Sequence, residues 1–227
     1  QSMATITLDT VHGQISAWRA DPPEGQPILG GLVLVQEIFG VNAHIRGVAK
    51  RFANAGLVVI APAVMDFVRA GVELDYNAEG IAVGREIMAE VGFDRCVAAC
   101  AAASDVLRQQ GLPTAVVGFC IGGTVALLCC TRLGLPAVSY YGGRSMAFRY
   151  ERPQAPLLMH FGRHDPLIPA DHVEAQRLAF PTAQIEIHDA GHGFNCEQRA
   201  DYMAAAAEAA FAQTLQFLQR ELGRGDH

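Results

Sequence analysis

A cysteine stands at the centre of Gly118-Phe119-Cys120-Ile121-Gly122-Gly123, between an apolar run and a stretch of helical character. The spacing is that of a G-x-S-x-G turn with a thiol in place of the hydroxyl. In such a turn a strand passes sharply into a helix. Glycines flank the central residue because a side chain there would collide with the neighbouring strand and helix. Sulfur held at the tip of that turn can attack an acyl carbon. The chemistry then needs a base, an acid that orients the base, and N–H groups that hold an oxyanion.

Candidates follow in the chain order nucleophile, acid, base. Asp165 lies in Gly162-Arg163-His164-Asp165-Pro166 and His192 in Gly191-His192-Gly193-Phe194, each just past an apolar, strand-like run. Ligands bind at such strand ends in open α/β sheets. A plain turn cap before Pro166 is the other reading of Asp165. Asp171 is a rival acid, but it falls at a helix start, where Asp is favoured by the dipole. His160 and His188 are rival bases inside strands, and His164 adjoins the proposed acid; only His192 occupies a glycine-flanked loop. His160 and His164 have the spacing of metal ligands on a helix, yet 157–162 reads as a strand, so no metal is expected. Cys96, Cys100, Cys129, Cys130 and Cys196 lack glycine flanks and read as packing residues. Glu37 ends another apolar run and opens Ile38-Phe39-Gly40. A loop in that place normally supplies the second oxyanion N–H, which assigns the N–H groups of Ile121 and Ile38 to the hole. The positive end of helix 121–133 adds to it.

These residues require a frame of short buried strands and crossover helices. The stretch 5–20 alternates loosely and fits a hairpin or two short strands at a sheet edge. Buried strands are read at 31–36, 57–61, 115–118, 137–141, 157–161 and 184–188. Helices are read at 42–55, with Asn42 as N-cap, at 77–110 with a break near Gly92, at 121–133, at 169–179 with a proline in its first turn, and at 200–222. Residues 66–76 read as a long loop. Strands alternating with helices predict an α/β fold with a mostly parallel sheet covered on both faces by helices. No linker divides the chain, so 1–227 is read as a single domain.

Hydrophobic residues make up 51% and charged residues 18%, a balance that excludes disorder. The net charge of -6 and the lack of any basic run speak against a nucleic-acid partner. No apolar stretch reaches the ~18 residues of a membrane helix, and no signal segment is read at the start. Gln1-Ser2 before Met3 reads as a remnant of expression. Six cysteines without a secretory signal read as reduced thiols of a cytoplasmic protein. Nothing calls for a cofactor, and the oligomeric state stays open, with a monomer compatible.

Taken together, Gln36-Glu37-Ile38-Phe39-Gly40, Gly118 to Gly123, Tyr140-Tyr141-Gly142-Gly143, His160-Phe161-Gly162 through Asp165, and Ala190-Gly191-His192-Gly193-Phe194-Asn195 resemble the dienelactone hydrolase (carboxymethylenebutenolidase) family of the α/β-hydrolase superfamily. The resemblance implies a compact, uncapped α/β-hydrolase fold and a Cys-His-Asp triad of Cys120, His192 and Asp165. It further implies hydrolysis of dienelactone to maleylacetate in chloroaromatic degradation. Glu37 would contact the resting thiol; a nearby anion disfavours the thiolate and protects it from oxidation.

Two positions depart from the pattern. Well-known members hold the substrate carboxylate with two arginines, and Cys196 and Gly80 occupy those positions here. Arg69, Arg85 and Arg199 are the nearby candidates to replace them. Tyr140, Tyr141, Phe39 and Phe194 are candidate pocket residues. The expected activity is cysteine-dependent hydrolysis of a small lactone or ester. Alternatives are a broad esterase or thioesterase, and a hydrolase-fold binding or redox-sensing protein without turnover.

Overall fold

The computed structural model describes residues 2–223; of the Gln1-Ser2 pair read as a remnant, Gln1 lies outside the described residues. Two compact units divide the chain, one of Gln1–Ala115 with Leu222–His227 and one of Val116–Glu221.

The first unit opens with the hairpin expected from its alternation, β1 (Met3–Thr10) against β2 (Gly13–Ala20). Thr10 closes the turn: its hydroxyl donates to the Gly13 carbonyl at 2.6 Å and accepts the His12 N–H at 3.0 Å. Strands β3 (Gly30–Val35) and β4 (Leu57–Pro62) pair in parallel, and β2 joins β4 antiparallel, giving the order β1-β2-β4-β3. Every residue of β3 and β4 is buried, as their unbroken apolar sequences require of strands covered on both faces. Helix α1 (Ala43–Asn54) links them, and the Asn42 side chain caps it by accepting the Ile45 N–H at 3.1 Å. The segment read as a long loop begins inside a 3-10 turn (Val64–Phe67). Helix α2 (Ala78–Gln109) is capped by Asn77 and breaks at Gly92, whose φ of 77° is open to glycine but strained for other residues.

Strand β5 (Thr114–Phe119) leads into the second unit, where β6 (Ala137–Tyr140), β7 (Leu157–Gly162) and β8 (Gln184–His188) follow in the order β5-β6-β7-β8, all parallel. Helices α3 (Ile121–Leu133), α4 (Ala170–Ala179) and α5 (Ala204–Leu222) alternate with them. Gly134 ends α3 in the left-handed conformation that such caps favour. Most boundaries shift by a residue or so from the sequence reading, and two of the shifts have a local cause. Tyr141 leaves the strand at φ 41°. The last helix starts at Ala204 because the N–H groups of Tyr202 and Met203 turn back to the carbonyls of Arg199 and Phe194, both at 3.1 Å. The sheet is mostly parallel and the class is α/β, as read. Among the described residues no helix is long and apolar enough to cross a membrane.

Candidate active site

Strand β5 ends at Cys120, which has φ 59° and ψ -124°. Such a backbone is strained for a residue with a side chain and persists only when its surroundings hold it. The Cys120 N–H donates to the Tyr140 carbonyl on β6 at 2.9 Å, and its own carbonyl accepts the Gly123 N–H at 2.8 Å. The glycines make the turn possible. A Cβ on Gly118 would strike the Gly122 carbonyl, and one on Gly123 would lie 2.7 Å from the Tyr140 oxygen. Helix and strand both press on the turn, as the motif implies. Ile121 is the first residue of α3, so its N–H is one of those a helix leaves without an intrahelical acceptor.

Two further loops of the same unit bring an imidazole and a carboxylate to the sulfur. The Cys120 Sγ lies 3.2 Å from His192 Nε2, and His192 Nδ1 lies 2.6 Å from Asp165 Oδ2. Asp165 Oδ1 accepts the Leu167 N–H at 2.8 Å, which fixes the carboxylate plane. The loops after β7 and β8 meet closely: His164 N–H donates to the Ala190 carbonyl at 3.0 Å, and a Cβ on Gly162 would strike that same oxygen. The side chains of His192 and Asp165 are 6% and 0% exposed, whereas Cys120 is half-buried and open to a reactant. Burial alone would lower the His192 pKa. The hydrogen bonds to Asp165 and Cys120, with their charges, outweigh it and raise the value to about 9. The same two groups therefore stabilise the imidazolium that forms when Nε2 takes the thiol proton.

Aromatic rings pack to one side of His192. Tyr141 lies 5.0 Å from the His192 ring and Phe194 5.1 Å from Tyr141, centroid to centroid. Tyr140, named as a pocket residue, turns inward. Its hydroxyl meets Thr214 Oγ1 at 2.8 Å, Thr214 meets His160 Nε2 at 3.0 Å, and His160 Nδ1 meets His188 Nε2 at 3.0 Å. This buried chain was missed from the sequence, where His160 and His188 read only as failed rivals. A threonine on the apolar face of 200–222 was its one visible signal. Burial lowers the pKa of both histidines, and for His160 the neighbouring His188 adds to the effect. His164 is exposed and pairs with Asp189 instead, and Asp171 lies in the first turn of α4 as read.

Of the three candidate arginines, Arg199 is half-buried beside the His192 loop: its guanidinium carbon is 2.8 Å from where a Gly193 Cβ would stand. Cys196 is fully buried in the same loop. In the first unit, Arg69 and Arg85 are exposed. Gly80 is buried at the start of α2, where any side chain would strike the Asp75 carbonyl. An arginine is sterically excluded there. Glu37 is 1% exposed and its carbonyl accepts Gln36 Nε2 at 2.8 Å. The Ile38 carbonyl packs on Gly84, and Phe39 stacks on Tyr76 with centroids 4.4 Å apart.

The dienelactone hydrolase family model matches residues 15–222. A candidate carboxymethylenebutenolidase of Synechocystis sp. is 32% identical over 96% of this chain and 96% of its own length. A carboxymethylenebutenolidase of Pseudomonas sp. is 30% identical over 92% of this chain and 91% of its own. The crystal structure of a candidate dienelactone hydrolase from Klebsiella pneumoniae superposes with a TM-score of 0.83, at 26% identity, covering 96% of this chain and 99% of that one.

Proposed function

Because the chain belongs to the dienelactone hydrolase family and has its α/β-hydrolase fold, we propose that it hydrolyses a small lactone or ester through a Cys120-His192-Asp165 triad and a thioester acyl-enzyme. That it is a hydrolase of ester or lactone bonds follows from the family itself, which sets aside a purely binding or redox role. The observation that carries the triad is the continuous line from Sγ through the imidazole to a buried carboxylate.

In this reading the Cys120 thiol passes its proton to His192 Nε2 as sulfur bonds to the acyl carbon. The carbonyl oxygen becomes an oxyanion, held by the Ile121 N–H at the start of α3 and, as the resemblance implies, by the Ile38 N–H. Collapse breaks the ester or ring C–O bond, and the leaving oxygen takes the proton from His192. Water then attacks the thioester and gives a proton to His192, which returns it to the departing sulfur. Asp165 holds Nδ1–H throughout, so Nε2 is the nitrogen that accepts and returns the proton. The resemblance gives Glu37, a buried carboxylate, the role of guarding the resting thiol. Arg199 is the proposed partner for an anionic substrate end, while Tyr141 and Phe194, 1% and 0% exposed, pack behind the His192 loop as core rather than as open pocket walls. The chain acts as one hydrolase domain, in the cytoplasm, a compartment that keeps its six unbridged thiols reduced.

The test is hydrolysis of cis- and trans-dienelactone and of aryl acetates by wild type and Cys120→Ala, with mass spectrometry of the trapped acyl adduct. Equal rates in the two proteins, or an adduct on another residue, defeat the mechanism. A broad esterase is the second reading, favoured by Gly80 and Cys196 at the positions of the family's two arginines. A strong preference for anionic lactones over neutral esters counts against it.

A further inference from the structure

Among the described residues, two that are not glycine take a φ in the left-handed region: Cys120 at 59° and Tyr141 at 41°. The first is the proposed nucleophile, and the second has no part in the proposed chemistry. For a bulky residue such a φ is an outlier, whereas glycine adopts it freely. Glycine follows at 142 and 143, yet position 141 carries a phenol. Strain of this kind persists only where the surroundings enforce it, and it clusters at functional sites.

The backbone around Tyr141 is registered to the turn that carries Cys120. The Tyr140 carbonyl accepts the Cys120 N–H at 2.9 Å, and the Tyr141 N–H donates to the His160 carbonyl on β7 at 2.7 Å. A Cβ on Gly142 would lie 2.5 Å from Ser145 Oγ and 3.1 Å from the Thr124 nitrogen, so this backbone is wedged against the first turn of α3. The Arg144 N–H closes the segment on Thr124 Oγ1 at 3.2 Å. Tyr141 is buried, so it offers no surface to a reactant. Its ring lies 5.0 Å from the His192 ring at 58° and 5.1 Å from Phe194 at 71°. His192 needs such a neighbour. The 2.6 Å bond to Asp165 pins Nδ1, but one bond leaves a planar ring free to tilt about it. Glycines on both sides, Gly193 at φ 76°, leave the loop backbone permissive. A tilt carries Nε2 away from Sγ.

We infer that Tyr141 is a positioning residue for the proposed base: its ring, fixed to the Cys120 turn through the strained backbone at 141, holds the His192 imidazole with Nε2 toward Sγ. The inference rests on the triad reading above. The ring carries this role and the hydroxyl does not, so phenylalanine should serve at 141 and an aliphatic side chain should not. The competing reading is a ring that only fills the core, since aromatic side chains contribute buried area wherever they pack. Under that reading the imidazole keeps its orientation when leucine takes the space.

Tyr141→Leu keeps the strained φ and a buried apolar side chain, so it isolates the ring. The expected result is a fall in kcat/KM on an aryl acetate of about ten- to a hundredfold, the scale of a misplaced reacting group. The loss should fall on kcat, with KM within about twofold of wild type. Tyr141→Phe should stay within about threefold of wild type in both constants. Tyr141→Gly relieves the backbone and should be as slow as the leucine variant all the same. NMR relaxation of the His192 imidazole carbons should give an order parameter of about 0.85 in wild type and below about 0.6 in Tyr141→Leu. The His192 pKa should fall from about 9 in that variant, because the Sγ contact that helps to raise it is lost. The relaxation data need no turnover: a wild type that hydrolyses nothing would sink the hydrolase reading and leave them to decide this one. Should the variants not fold, wild type alone decides, a rigid imidazole supporting the inference and a mobile one overturning it. A leucine or glycine variant with wild-type kcat and a rigid imidazole would assign Tyr141 to the core and overturn it too. So would a phenylalanine variant as slow as the leucine one, which assigns the effect to the hydroxyl.

Discussion

Replacing Asp165 by Asn tests how the proposed base, His192, is made. In the native protein His192 has a pKa of about 9 against an ordinary value near 6.5, and each unit is worth 1.36 kcal/mol. Hydrogen bonds and charge from Asp165 and Cys120 favour the imidazolium, against a burial effect that acts the other way. Asp165 is one of the two residues responsible, through a 2.6 Å hydrogen bond from a site with no solvent exposure. An Asn side chain keeps the shape but removes the charge, and its amide can turn a donor toward Nδ1. The ring then holds its proton on Nε2 and offers the thiol no acceptor. The expected loss in kcat/KM on an aryl acetate is about a hundred- to a thousand-fold, matching roughly 3–4 kcal/mol, and it should fall on the acylation step. The His192 pKa, followed by NMR titration of the imidazole carbons, should move down from about 9. A pKa that stays near 9, or a kcat/KM within about threefold of wild type, would refute the reasoning.

Thr214→Val removes the hydroxyl shared by Tyr140 and His160; leaving two buried groups open should cost about 2–4 kcal/mol, read as a lower denaturant midpoint at unchanged m. The histidines set opposite limbs of stability against pH. His160 and His188 have lowered pKa values, so their contribution is present above about 6.5 and fades as pH falls. His192 has a raised one, so its contribution is complete below about 6.5 and fades as pH rises through about 9. Thermal unfolding across pH 4–10 (about the usable range) should show both limbs, and His192→Gln should flatten the alkaline limb alone. Gly118→Ala forces a methyl group onto the Gly122 carbonyl and should cost more than about 3 kcal/mol or prevent soluble folding; a near-native melting temperature would contradict the packing of the turn. Arg199→Gln should raise KM for an anionic ester about tenfold while leaving a neutral ester within about twofold, on the scale of one charge-assisted contact.

Much of the site could be read from local chemistry. The glycines around Cys120, the order of Asp165 and His192 after it, and Asn42 and Asn77 at helix starts are short-range signals, because each depends on sterics or hydrogen bonds within a few residues. Gly80 is a different case. Its lack of a side chain read as a missing arginine, while the fold shows a glycine required by the Asp75 carbonyl. His160, His188 and Thr214 were illegible as a group, since they are brought together from two strands and the last helix.

The sequence by itself determined the kind of turn at Cys120 and the α/β class, and it singled out Asp165 and His192 as the candidate acid and base, because glycine sterics and apolar periodicity act along the chain. Only the tertiary structure decided that the sulfur, imidazole and carboxylate lie in one hydrogen-bonded line, and that Tyr140 faces the core rather than a reactant. Those outcomes depend on distances between residues far apart in sequence, and such distances are set by how strands and loops pack.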